Sequence, residues 1–271
     1  MDHWRLKLRF WGVRGSVPTP QSRNMGYGGN TTCLELLLPT GEVIVFDAGT
    51  GICDLGPALM HQPLIHLFFT HLHWDHLQGL PFFAPLYSPN AVIKFYSSSY
   101  CGELKDGLEA QMRRPHFPVD FENARSRREF IDLGIAPIRI GSATITPFPL
   151  FHPNGACGYR IESEGAVIVY ATDREHGHPE LDPVFEKWAQ GADLLIHDAQ
   201  YTPEQFPAQK LWGHSTWAEA VRVSQACGVK QLALFHHDPK HDDTMVAKIE
   251  AEAKKQFANS FAAREGMTVT L

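Results

Sequence analysis

Short apolar runs recur along the chain and set its framework. Arg5 to Trp11 alternates apolar with polar and reads as a half-buried strand. Cys33 to Leu38 and Glu42 to Phe46 flank Pro39-Thr40-Gly41, which predicts a hairpin. Leu64 to Thr70 is apolar almost throughout and reads as a strand buried on both faces. Further strands are expected at Val92 to Tyr96, Ala143 to Phe148, Gly158 to Glu162, Ala166 to Tyr170, Asp193 to Ile196 and Gln231 to Phe235. Helical stretches are expected at Gly102 to Arg114, Pro183 to Gln190, Thr216 to Cys227 and Thr244 to Arg264. Thr216-Trp217-Ala218-Glu219 has capping-box spacing and marks a helix start. Strand–helix alternation in both halves argues for an α/β protein, with sheets covered by helices in layers.

Composition narrows this without changing it. A chain of 271 residues with 44% hydrophobic content builds a sizeable core, as one large domain or two small ones. No linker, short repeat or low-complexity segment divides it. The net charge of −6 offers no basic stripe for a strong hold on duplex nucleic acid. The one basic cluster, Arg125-Ser126-Arg127-Arg128, reads as a solvated loop as readily as a phosphate contact. Met1 to Arg5 lacks the apolar region of a signal peptide, and no run approaches membrane-spanning length. Five scattered cysteines, Cys33, Cys53, Cys101, Cys157 and Cys227, suit reduced thiols and a cytoplasmic location.

Chemistry enters at His71-Leu72-His73-Trp74-Asp75-His76, directly after the Leu64–Thr70 run. Three imidazoles and a carboxylate suit zinc, manganese or iron better than calcium. Four such groups exceed what one tetrahedral ion takes from one turn while keeping a water, so the spacing points to two ions. A histidine-rich loop without metal is the competing reading, since 15 of the 271 residues are His. Four ligand-type residues at this spacing after a strand weigh against it.

More candidates follow other apolar runs. His152 follows Ile145 to Phe151, and Asp173 follows Val167 to Thr172. His197 and Asp198 follow Leu194 to Ile196, and His236 and His237 follow Leu232 to Phe235. His214 lies in Gly213-His214-Ser215-Thr216, before a helix. If the strands lie side by side, these ends meet at one rim. Two metals about 3.5–4 Å apart there would clamp the attacking and leaving oxygens of a displacement at phosphorus.

These residues resemble the metallo-β-lactamase superfamily. The match is H-x-H-x-D-H at His71 to His76, then His152, Asp173 and His236 in order, with Phe46-Asp47-Ala48-Gly49-Thr50-Gly51 upstream. It covers roughly Leu6 to Pro239. The nearest branch holds ribonuclease Z and its phosphodiesterase relatives, through Gly213-His214-Ser215-Thr216 and Ile196-His197-Asp198-Ala199. Asp198 stands where that branch usually has Glu.

The resemblance implies a four-layer αββα sandwich: two mixed β-sheets flanked by helices, in one domain over 1–271 with an insertion or lid at about 98–130. It implies two divalent ions. His71, His73 and His152 would hold one, and Asp75, His76 and His236 the other, with Asp173 bridging. His236 is preferred to His237 for its place at the strand end. Asp75, His214 and Asp198 are the expected catalytic residues. His214 would give a proton to the departing oxygen or clamp the phosphate, and Asp198 would support its charge. Positioned proton transfer is worth roughly 10²–10⁴ in rate.

Two further segments are candidates for substrate contact. Gly26-Tyr27-Gly28-Gly29-Asn30-Thr31-Thr32 brings backbone amides and Asn30 towards a phosphate, or is an ordinary tight turn. Met112 to Pro118 forms a lid bearing His116 or Phe117, or a plain surface hairpin. Glu175, His176 and His178 read as loop residues.

Ribonuclease Z carries a long tRNA-gripping arm between the third His and the bridging Asp. Here only 20 residues separate His152 from Asp173. That departure, with the acidic balance, favours a small phosphodiester. Trp11 to Pro18 and Gly28 to Thr31 also resemble arm-less phosphodiesterases that open cyclic nucleotides. The expected activity is therefore hydrolysis of a 3′,5′-cyclic nucleotide by metal-activated water, with a homodimer suggested by the arm-less relatives. Alternatives are tRNA 3′ processing, lactone or thioester hydrolysis on the same fold, and a non-catalytic nucleotide-binding domain.

Overall fold

A computed structural model describes residues 6–271, so Arg5 lies outside the described residues. Fourteen strands among them form two sheets of seven. The first sheet runs β14 (Thr268–Thr270), β1 (Lys7–Gly12), β2 (Cys33–Leu37), β3 (Val43–Phe46), β4 (Leu64–Phe68), β5 (Val92–Ser97) and β6 (Arg127–Asp132). The second runs β13 (Ser260–Ala262), β12 (Gln231–Phe235), β11 (Leu194–Asp198), β10 (Ala166–Ala171), β9 (Ala156–Ser163), β8 (Ala143–Leu150) and β7 (Ile138–Ile140). Each sheet is mixed. β3 to β6 pair parallel, as do β10 to β13, and the remaining neighbours pair antiparallel.

Alternation within the strands explains the layering. In β3, Ile44 and Phe46 face the opposite sheet while Val43 and Val45 face the helices. Both faces are apolar, which is why the central strands read as continuous runs rather than alternating ones. Between the sheets, Phe10, Leu36, Phe46 and Phe68 pack with Tyr159, Ile168, Ile196 and Phe235. Outside the first sheet lie α1 (Gly51–Leu55), α2 (Trp74–Leu77) and α3 (Leu104–Gln111). Outside the second lie α4 (Leu181–Ala189), α5 (Trp217–Ala226) and α6 (Asp243–Gln256), over Val169, Leu195 and Leu234. The result is the expected αββα order.

Two expectations are corrected at the sheet edges. The helix expected to run from Thr244 to Arg264 stops at Gln256, and Ser260–Ala262 becomes the edge strand β13. Backbone pairing with β12 overrides the local helical propensity there. Arg127 and Arg128 are not loop residues but open β6, which pairs with β5 and stacks Phe130 on Phe95 at 5.2 Å between ring centroids. The last residues of the 98–130 segment therefore belong to the sheet.

The strand directions matter most for the site. β3 and β4 run parallel in one sheet. In the other, β10, β11 and β12 run parallel, and β8 shares their direction because β9 opposes both β8 and β10. The chain leaves the C-terminal ends of these strands at a common rim.

Candidate metal centre

Every predicted ligand lies just past one of those strand ends. His71, His73, Asp75 and His76 follow β4; His152 follows β8; Asp173 follows β10; His236 follows β12. Asp47, Asp173 and His236 all sit in the left-handed region, with φ of 61°, 57° and 61°. Residues other than glycine rarely adopt it, and it costs of order 1–3 kcal/mol each. Here it turns the chain back over the rim as soon as each strand ends.

The ligand atoms fall into two sets. Those of His71, His73 and His152 lie within 4.8 Å of one another, as do those of Asp75, His76, Asp173 and His236. Asp173 faces both. Its Oδ1 is 3.9 Å from His71 Nε2 and 3.8 Å from His152 Nε2. Its Oδ2 is 3.1 Å from His76 Nε2 and 3.4 Å from His236 Nε2. Asp75 Oδ2 lies 3.1 Å from His236 Nε2.

Neighbouring groups fix the rings from behind. Gly213 O lies 2.8 Å from His152 Nδ1, and Gln200 Oε1 lies 2.8 Å from His236 Nδ1. Asp47 Oδ2 is 3.1 Å from His76 Nδ1 and accepts the Tyr170 hydroxyl at 2.8 Å. Asp47 Oδ1 accepts the Thr70 N–H at 2.8 Å. The Ser16 N–H donates to Asp75 Oδ2 at 2.6 Å. Such partners set ring orientation and basicity for metal binding.

The set fits divalent cations. His71 Nε2 and His76 Nε2 are buried with no aligned hydrogen-bond partner, although His76 Nε2 is close to Asp173. A buried imidazole nitrogen left so is costly unless something accepts its lone pair. Burial opposes ionisation of Asp173 and Asp75, but the surrounding imidazoles hold both well below the usual carboxylate range. Burial likewise opposes charging His76, yet Asp173, Asp75 and Asp47 push it well above its usual value. Without metal, a proton on His76 compensates those carboxylates; a cation is its natural replacement.

Beside this set stands a second pair. His214 Nδ1 lies 2.8 Å from Asp198 Oδ2, and the His214 ring stacks on His236 at 5.0 Å between centroids. Asp198 Oδ1 also accepts the Gln200 and Ser215 N–H groups, each at 3.0 Å. Burial disfavours the imidazolium, but Asp198 outweighs it and pushes His214 up to about 9. With Nδ1 committed to Asp198, Nε2 is the nitrogen left to meet a substrate.

Residues 42–237 match the family described as the Beta-lactamase superfamily domain. This chain belongs to that superfamily. It is 24% identical to the ribonuclease Z of Synechococcus sp. (strain CC9311), over 97% of this chain and 98% of that protein. Several solved structures share the fold. The metallo-β-lactamase fold protein YhfI from Bacillus subtilis superposes with a TM-score of 0.75 at 18% identity, covering 98% of this chain and 99% of that one. A diphosphatase from the PhnP family gives 0.73 at 19%, covering 98% of each chain.

In this β-lactamase superfamily chain, the structure separates the remaining candidates from the cluster. Asn30 donates from Nδ2 to Asp54 Oδ2 at 2.9 Å, and its N–H to Glu265 Oε1 at 2.5 Å. Its side chain is thus taken by carboxylates. His237 is buried 2.9 Å from Ala263 O, away from its neighbour's partners. His197 lies 2.6 Å from Asp198 O, behind the pair. His116 lines a cavity beside the His71–His76 turn rather than the ligand set. Glu175, read from sequence as a loop residue, is buried and does more. It accepts the Leu211 N–H at 2.9 Å and the Gly213 N–H at 2.8 Å. It thereby fixes the turn that presents Gly213 O to His152 and places His214. Only its proximity to Asp173 hinted at this.

Proposed function

We propose that this chain is a metal-dependent phosphodiesterase acting on a small phosphodiester, namely a 3′,5′-cyclic nucleotide. The observation that carries the reading is the buried His214–Asp198 pair set against a two-part ligand pocket. His71, His73 and His152 would hold one ion, and Asp75, His76 and His236 the other, with Asp173 between them. Zinc suits this nitrogen-rich set best, and manganese and iron also fit it. Bound there, such ions supply Lewis-acid polarisation of the phosphoryl group and activation of water.

The chain's own groups supply the rest. His214 would hold a proton at Nε2 for the departing alkoxide, with the Asp198 carboxylate at Nδ1 stabilising the imidazolium form. Asp75 is held ionised and anchored by the Ser16 amide. Glu175 and Gly213 fix His152 and His214 relative to one another.

One observation favours a second reading, tRNA 3′ processing: relatives named ribonuclease Z match over nearly their whole length. Against it, β9, β10 and their turns take up the residues between His152 and Asp173, leaving no room for an arm. The alignment to the Synechococcus protein spans 328 residues, more than this chain of 271 has, so that relative carries segments without counterpart here.

The deciding experiment is a panel assayed with bound metal quantified: cyclic AMP, cyclic GMP, pyrimidine cyclic nucleotides, a dinucleotide, a precursor tRNA and a lactone. Turnover of a cyclic nucleotide is expected. Cleavage of the precursor tRNA with the cyclic nucleotides untouched would move the assignment to the second reading.

A further inference from the structure

The turn that carries the ligands also presents an aromatic face outward. Trp74 lies between His73 and Asp75 and is 80% exposed. A singly exposed apolar side chain is ordinary; what distinguishes this one is its setting. It borders a cavity of about 440 Å³, walled by Leu72 and Leu77 from the ligand turn and by Ala110 and His116 from the α3 side. α3 approaches closely because Gly107 faces Leu72; a Cβ at Gly107 would meet Leu72 Cδ1 at 2.8 Å.

The lining is mixed in an informative way. Gln78 and Gln111 complete the wall. Gln78 donates from Nε2 to Thr31 Oγ1 at 3.2 Å, and Gln111 donates from Nε2 to Leu77 O at 2.9 Å. Each amide is held in place with its Oε1 left to accept a hydrogen bond. A largely apolar cavity with an aromatic wall and a few fixed acceptors suits a ring system bearing N–H groups. Its volume admits a nucleoside and excludes little smaller.

We propose that this cavity holds the base of the nucleotide substrate, stacked on Trp74, and so determines which phosphodiesters are used. The proposal rests on the phosphodiesterase reading. Adjacency along the chain supports it: Trp74 shares its turn with four candidate ligand residues, and a base stacked there would be joined through its sugar to a phosphate at the rim. Gln78 Oε1 and Gln111 Oε1 accept from the base edge, and His116 closes the outer side.

The test is equilibrium dialysis of the metal-loaded protein with adenosine 5′-monophosphate and, in parallel, ribose 5-phosphate. The two share a phosphate and a sugar and differ in the base. Wild type is expected to bind the nucleotide at least tenfold tighter, since stacking on an aromatic side chain is worth about ten- to a hundredfold in affinity. Trp74→Ala and the cavity-filling Ala110→Phe should each remove that advantage and raise the KM of a cyclic nucleotide about tenfold, while affinity for ribose 5-phosphate moves less than twofold. Trp74→Phe should restore most of it. Metal content measured on each variant separates loss of stacking from loss of ions.

Equal binding of the two ligands by wild type overturns the proposal. So does a Trp74→Ala variant that keeps its nucleotide affinity but dissociates from dimer to monomer, because the occupant is then a second copy of this chain. If the nucleotide binds through Trp74 and no nucleoside phosphodiester is hydrolysed, the reaction assignment fails alone. If cyclic nucleotides are hydrolysed with the same KM by wild type and both variants, the base pocket fails alone.

Discussion

His214 is the residue whose geometry says most about the reaction. In the proposed reaction its contact with Asp198 would serve a leaving group that needs a proton. His214→Ala should keep its metal yet lose about 10²–10⁴ in kcat on cyclic nucleotides, with a much smaller loss on an activated nitrophenyl diester. Equal losses on both substrates would exclude the donor role. The same residue links pH to stability in the metal-free protein. Its folded value, about 9, lies above its ordinary 6.5. The stabilisation is therefore complete below about pH 6.5 and disappears as pH rises through about 9. Melting temperatures of the chelated protein should fall between pH 7 and 10, and His214→Ala should flatten that slope; parallel slopes in both proteins would contradict the linkage. At this scale the sequence was informative about residue type and silent about partners. It preferred His236 to His237 for its place at the strand end, and the fold set the first on Asp75 and the second on Ala263 O.

The elements act by aiming these residues. α5 starts as its capping-box spacing predicts, with Thr216 Oγ1 accepting the Glu219 N–H at 3.1 Å. The reciprocal half does not form. The Glu219 carboxylate goes instead to Arg222 at 2.8 Å and lies 3.6 Å from Arg174. Thr216→Ala should then cost about 1 kcal/mol, the value of a single cap bond. Urea unfolding will read it, and a change near zero would mean that the turn is held by the Trp217–Tyr201 backbone bond alone. The apolar central strands were legible because both faces are buried. The edges β7, β13 and β14 were not, because three residues hold too little pattern to stand out. β6 was hidden by its charge: Arg127 and Glu129 face solvent at a sheet margin.

At the scale of the molecule, the candidate ligands come from both sheets. His71 to His76 leave the first, while His152, Asp173 and His236 leave the second. Ions bound there would tie the two halves of the sandwich together at the rim. A ligand at about a hundred times its Kd stabilises by about 2.7 kcal/mol, which amounts to roughly 5–10 °C in a chain of this size. Chelation should lower the melting temperature by that much, and zinc should restore it. Complete removal of metal with no thermal shift would show that the ions sit elsewhere or bind the unfolded chain equally well. No helix among the described residues is long and apolar enough to cross a membrane.

The sequence by itself determined the central strands, the layered class and the identity of the candidate ligands, because burial on two faces and clustered imidazoles are local signals. It also singled out His214 and Asp198, through short motifs beside strand ends, and the structure brings them within 2.8 Å of each other. Only the tertiary structure decided which oxygen of Asp173 faces which set, that Glu175 fixes the Gly213 turn, that Asn30 is held by Asp54 and Glu265, and that Trp74 borders a cavity. Those facts depend on contacts between segments up to 235 residues apart, such as Asn30 with Glu265. Local patterning cannot encode such contacts, since they arise only when strand direction and left-handed turns bring distant ends to one rim.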